Sequence, residues 1–120
     1  MYFLSGENRI YVLFGTEGHG WWYSEPNTWR EGEELPVETP PPGRYAAIRG
    51  FGKVWAPGTI TRSMLGWGTT PEVGMTGVFQ RFERGQMLYS QAVHGHAPRI
   101  YVLYDEKADP GSALWETYPD

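Results

Sequence analysis

The chain has no cysteine. Disulfides, thiol nucleophiles and cysteine-liganded zinc are therefore excluded. It also has no long apolar run. The longest, Ile10 to Phe14, is a strand's worth and far short of the ~20 residues of a membrane-spanning helix, so no membrane span is expected. Positive charge is not in surplus: ten Lys and Arg stand against 14 Asp and Glu, a formal net charge of −4. Phosphate-backbone binding needs a cationic excess, so no nucleic-acid partner is expected. Residues 1–7 lack both a basic start and an apolar stretch, and no signal peptide is read there.

What is present points to strands and turns. Aromatics make up 16% of the 120 residues, including six Trp and eight Tyr, and there are 16 Gly and 10 Pro. Aromatic side chains suit half-buried strands, and Gly and Pro build the turns between them. With 40% hydrophobic residues, the balance is that of one folded domain of the all-β class.

A repeat organises the chain. Arg9-Ile10-Tyr11-Val12-Leu13-Phe14 recurs as Arg99-Ile100-Tyr101-Val102-Leu103-Tyr104. Trp22, Pro26 and Asn27 follow the first copy as Trp115, Pro119 and Asp120 follow the second. Residues 1–29 thus read as a hairpin-like segment duplicating 87–120, at a period of about 90 residues. Such repeats belong to architectures that stack or ring similar units.

Short antiparallel strands in meanders, blade-like or a small barrel, are expected. The spacing predicts strands at 2–4, 9–14, 21–23, 77–82, 86–90, 99–104 and 113–118, with Gly85 in the tight connection after Phe82. Residues 31–43, carrying Pro40-Pro41-Pro42, form a Pro/Glu-rich extended connection, and 44–120 the main β unit. Residues 44–49 and 52–55 read as short strands split at Gly50, and one helical turn is expected at 59–65, where Ile60 and Met64 share a face.

From Leu65 the chain resembles the LGFP repeat family of bacterial exported proteins. The matching stretches are Leu65-Gly66-Trp67-Gly68-Thr69-Thr70-Pro71-Glu72, then residues 80–90 from Gln80 to Ser90, then, loosely, His94-Gly95-His96-Ala97. The match covers residues 65–97. It departs from the family at Gly68, where the family has proline, and in its longer period. The resemblance implies a non-catalytic β module of the cell envelope that anchors its host to wall polysaccharide.

Candidate sites follow from chemistry. Six Trp exceed what a small core hides completely. Trp22, Trp29 and Trp67 are the candidate glycan contacts, since rigid aromatic rings stack on sugar faces. The plain alternative makes them core. His94 and His96, two residues apart, are weak metal candidates, and no cofactor is expected. No Ser sits in a nucleophile elbow, and no phosphate loop is present. The expected function is a non-catalytic extracellular or cell-surface repeat module that binds surface polysaccharide or anchors a larger assembly. Its partners would be cell-surface glycan or copies of itself. One rival is a filament subunit joined head to tail by strand pairing through Arg9, Ile10, Tyr11, Val12 and Leu13 with Arg99, Ile100, Tyr101, Val102 and Leu103. A small hydrolase is the other.

Overall fold

The computed structural model describes residues 1–16, 18–91, 97–105 and 113–119. Its elements are β1 (Tyr2–Leu4), β2 (Arg9–Thr16), β3 (His19–Pro26), α1 (Arg49–Val54), α2 (Ile60–Leu65), β4 (Gly77–Phe82), β5 (Gly85–Ser90), β6 (Arg99–Tyr104) and β7 (Leu114–Pro119). The protein is mostly antiparallel β-sheet with two short helices. The strand order is β1-β2-β3-β7-β6-β5-β4. The chain gathers into two compact units. The first is Met1–Val12 with Ser24–Glu72, and the second is Leu13–Tyr23 with Val73–Asp120.

In the second unit, β4, β5, β6 and β7 form a meander with unbroken register. The turn between β4 and β5 is tighter than the sequence implies. Gly85 pairs with Phe82 and opens β5 instead of lying in the loop. A Cβ at Gly85 would stand 2.4 Å from the Leu103 carbonyl oxygen, so the close approach of β6 demands glycine there.

Strand β3 pairs with β7, and this pair has an internal symmetry. Trp21 opposes Leu114, and the two hold corresponding places in the repeat, so a local two-fold axis runs through them. Gly20 opposes Trp115, and in the symmetry-related position the Trp22 N–H donates to the Ala113 carbonyl at 3.0 Å. The indoles obey the same symmetry. Trp22 Nε1 donates to the Tyr104 carbonyl at 2.8 Å, and Trp115 Nε1 donates to the Phe14 carbonyl at 3.2 Å. Each repeat copy also ties its second strand to its third through an arginine. Arg9 Nε donates to Ser24 Oγ at 3.0 Å, and Arg99 Nε donates to Thr117 Oγ1 at 2.9 Å.

The first unit differs from its sequence reading. Residues 49–54 form helix α1 where two strands are expected. The glycines that look like strand breakers are what let this helix pack. A Cβ on Gly52 would lie 2.8 Å from the Ala47 carbonyl oxygen, and one on Gly50 would lie 2.5 Å from Asn27 Oδ1 and 3.2 Å from Ile10 Cδ1. Of the expected strands, only a single bridge remains, between Tyr45 and Gly68. Gly68 donates its N–H to the Tyr45 carbonyl at 2.8 Å, a bond proline could not make. Helix α2 lies where expected. The Thr59 side chain accepts from the Arg62 N–H at its start, and Gly66 ends it at φ 68°. Its Ile60 and Met64 are exposed, while Thr61 turns inward. The core of this unit is Ile10, Tyr11, Val12, Val54 and Trp55.

Trp22→Phe and Trp115→Phe remove one indole donor each and keep a ring. Each is expected to cost about 1 kcal/mol, by similar amounts, in urea unfolding. Strongly unequal costs would contradict the symmetry of the two bonds.

Candidate functional site

Directly opposed residues of an antiparallel pair share a face. The registers of the second unit therefore sort its side chains into two sets. One face carries the rows Val78, Tyr89, Ile100, Tyr118 and Gln80, Met87, Val102, Glu116. Phe82 and Tyr104, each opposite Gly85, extend it, and so do Leu114 and Trp21. The other face carries Phe79, Leu88 and Tyr101, then Gln86, Leu103 and Trp115.

The two faces differ sharply in burial. Leu88, Gln86 and Leu103 are at most 4% exposed, whereas Val78, Phe82, Met87, Tyr104, Leu114, Tyr118 and Trp21 are all between 40% and 65% exposed. We call the second set the outer face. Isolated exposed apolar residues are ordinary, but seven large ones on one sheet face are the pattern of a contact surface. Phe14 adds to it, with its ring 6.1 Å from Trp21 and 6.0 Å from Tyr23. An open cleft of about 450 Å³ borders this face at the β4–β5 turn, lined among others by Phe82, Met87 and Val102.

One polar cluster interrupts the apolar surface. The Glu116 carboxylate accepts from the hydroxyl of Tyr104, and Tyr118 lies two residues along the same strand on the same face. Both phenols are pushed above their ordinary value, first by the hydrogen bond to Glu116, because ionising either would remove the donor and set a phenolate beside a carboxylate.

The tryptophans singled out from sequence lie elsewhere. Trp22 is half-buried, and its indole is held by the Tyr104 carbonyl. Trp29 is half-buried in the first unit. Its N–H donates to Asn27 Oδ1 at 3.3 Å, and its Nε1 has no hydrogen-bond partner among the described residues. Trp67 meets Trp55 edge-on at 5.2 Å. The Arg62 guanidinium carbon lies 4.0 Å from the Trp55 ring centre and 4.6 Å from that of Trp67. Arg62 in turn makes a two-pronged pair with Glu38 at 2.7 and 3.1 Å, and Trp55 Nε1 donates to the Gly66 carbonyl at 2.6 Å. Trp67 is thus tied into a packed Trp–Arg–Trp stack.

Residues Arg9 to Leu13 lie in β2, between β1 and β3, and Arg99 to Leu103 lie in β6, between β5 and β7. Arg99 to Leu103 are paired on both sides, and of the first stretch Arg9, Ile10 and Tyr11 are paired with β1. The free edges belong to β1 and β4. His94 and His96 fall outside the described residues. Among the described residues, no three His, Cys, Asp or Glu side chains are placed to hold a metal ion.

Arg62→Ala is expected to cost roughly 2 kcal/mol of stability, and Arg62→Lys to recover little of it, because an ammonium neither stacks nor pairs in two prongs. Chemical denaturation measures both. At the outer face, raised phenol values mean that the Tyr–Glu116 bonds contribute fully below pH 10, the ordinary tyrosine value, and are lost as pH rises through the raised folded values. Glu116→Gln is expected to move the titrations of Tyr104 and Tyr118 back down, as read by NMR of the tyrosine ring carbons.

No protein-family model, curated protein or solved structure matches the chain.

Proposed function

We propose that the chain is a non-catalytic repeat module of an extracellular or cell-envelope protein. It anchors a larger assembly, and the outer face of the second unit is its working surface. The observation that carries this reading is the concentration of seven exposed large apolar side chains on one sheet face, opposite a buried one. The internal repeat supports it, since duplicated β units recur in scaffolds that hold other molecules. The resemblance to LGFP repeats over residues 65–97 agrees with it.

A polysaccharide ligand is a second reading of the same face, favoured by one cluster. Tyr104, Tyr118 and Trp21 present rings, and Glu116 presents a hydroxyl acceptor among them. This moves the candidate glycan contacts away from Trp22, Trp29 and Trp67, whose indoles and rings are occupied or half-buried. The sheet's outermost strands are β1 and β4 rather than β2 and β6, which speaks against filament pairing through residues 9–13 and 99–103.

Co-sedimentation with the envelope fraction of the source cells tests the proposal. The wild-type chain is expected to pellet. The double variant Met87→Lys, Tyr104→Ser, altered at two exposed positions, is expected to bind at least about tenfold more weakly with an unchanged melting temperature. Loss of pelleting after enzymatic removal of polysaccharide selects the glycan reading. Undiminished binding by the double variant rules out the face.

A further inference from the structure

Three of the eight tyrosines are exposed: Tyr45 at 42%, Tyr104 at 45% and Tyr118 at 48%. Exposure makes a ring reachable, but its chemistry depends on where the hydroxyl proton can go. Tyr11 and Tyr104 each donate that proton in a hydrogen bond to a carboxylate, Tyr11 to Glu7 and Tyr104 to Glu116. Tyr11 is 3% exposed, with the Tyr2 ring stacked on it at 4.9 Å, and is closed to reagents. Tyr45 is open, but no carboxylate among the described residues bonds its hydroxyl. Tyr104 combines the two properties.

A phenol that keeps its proton gives up an electron reluctantly, because the product is a strongly acidic radical cation. A base already bonded to the hydroxyl takes the proton as the electron leaves. The bond to Glu116 also holds the Tyr104 phenol protonated, since ionising it would set a phenolate beside a carboxylate. A proton acceptor must therefore be at hand when this ring is oxidised. We propose that Tyr104 is an oxidative cross-linking site, where a haem peroxidase using hydrogen peroxide joins two copies of the chain through their Tyr104 rings, with Glu116 as the proton acceptor. Each ring loses one electron to the oxidised haem and its phenolic proton to Glu116, which passes the proton to water. The two phenoxyl radicals form one carbon–carbon bond between positions ortho to the hydroxyls. The two ortho hydrogens move to the oxygens as the rings regain aromaticity. In sum, two phenols and one hydrogen peroxide give one biphenol and two waters. The partner ring comes from a second copy rather than from Tyr118 of the same chain. Tyr118 opposes Ile100, four residues from Tyr104 along β6, which sets the two about 13 Å apart along the strand. This site goes beyond the working-surface reading and does not depend on it. It needs only the exposure of Tyr104 and its bond to Glu116.

The test is treatment of the purified full-length chain with a haem peroxidase and hydrogen peroxide. The expected product is a covalent dimer on a denaturing gel, with dityrosine fluorescence and a cross-link that mass spectrometry maps to Tyr104. Tyr104→Phe keeps the ring and is expected to remove most of the dimer, whereas Tyr45→Phe is expected to leave it. Glu116→Gln keeps Tyr104 and is expected to slow dimer formation at least about tenfold. Added phosphate base is expected to restore the rate of Glu116→Gln and to leave the wild type little changed, a rescue that a merely structural role would not show. Tyr104→Phe decides the site if Glu116→Gln fails to fold. No dimer from the wild type, a dimer that survives Tyr104→Phe, or a link mapped to another tyrosine overturns the inference. Equal rates for the wild type and Glu116→Gln remove Glu116 from it. The envelope assay contains no oxidant, so its outcome and this one are read separately.

Discussion

The pairing of β3 with β7 about a local two-fold axis is the constraint on which the rest of the sheet depends. It is made by the third strand of each repeat copy, and it is locked by two indoles, each bonded to a carbonyl of the other copy. A buried or partly buried carbonyl left without a donor costs about as much as a lost hydrogen bond. Each copy therefore completes the other's backbone accounting. Trp22 and Trp115 both take part in this task through their indole N–H groups.

The register then settles the surface. Once Trp21 is placed opposite Leu114, the period-two alternation of every strand in the second unit is fixed. Leu88 and Leu103 go to the inner face, and Met87, Tyr104 and Tyr118 to the outer. A slip of one residue would exchange the two sets. The apolar outer face thus follows from the same pairing that holds the copies together, and it persists although it exposes hydrophobic surface to water.

Much of this was legible in the sequence, for physical reasons. The strands from β4 to β7 show alternation bounded by Gly and Pro, so they are readable to within a residue or two, and the duplicated Arg-Ile-Tyr-Val-Leu stretch marks the corresponding strands β2 and β6. Helix α1 was not legible. Its glycines carry low helix propensity, and their value lies in tertiary contacts with Ile10, Asn27 and Ala47 that no local pattern reveals. The outer face escaped for a related reason. A strand such as β6, apolar at every position from Ile100 to Tyr104, does not say which side is covered; only its neighbours' register does. Trp67 looked like a free ring because the guanidinium stacked on it comes from a residue whose partner, Glu38, lies in a segment that reads as a loose connection.

The local two-fold axis has a consequence for anything long that lies across the outer face. Phe14 and Tyr104 occupy corresponding positions on either side of the Trp21–Leu114 centre, so each arm carries one ring in a matching place. A polymer laid along the face meets that pair of rings from either direction. The other corresponding positions differ in kind: Trp21 matches Leu114, Tyr23 matches Glu116, and Glu25 matches Tyr118. Such a polymer is therefore read with a direction, because ring and carboxylate trade places between the two arms.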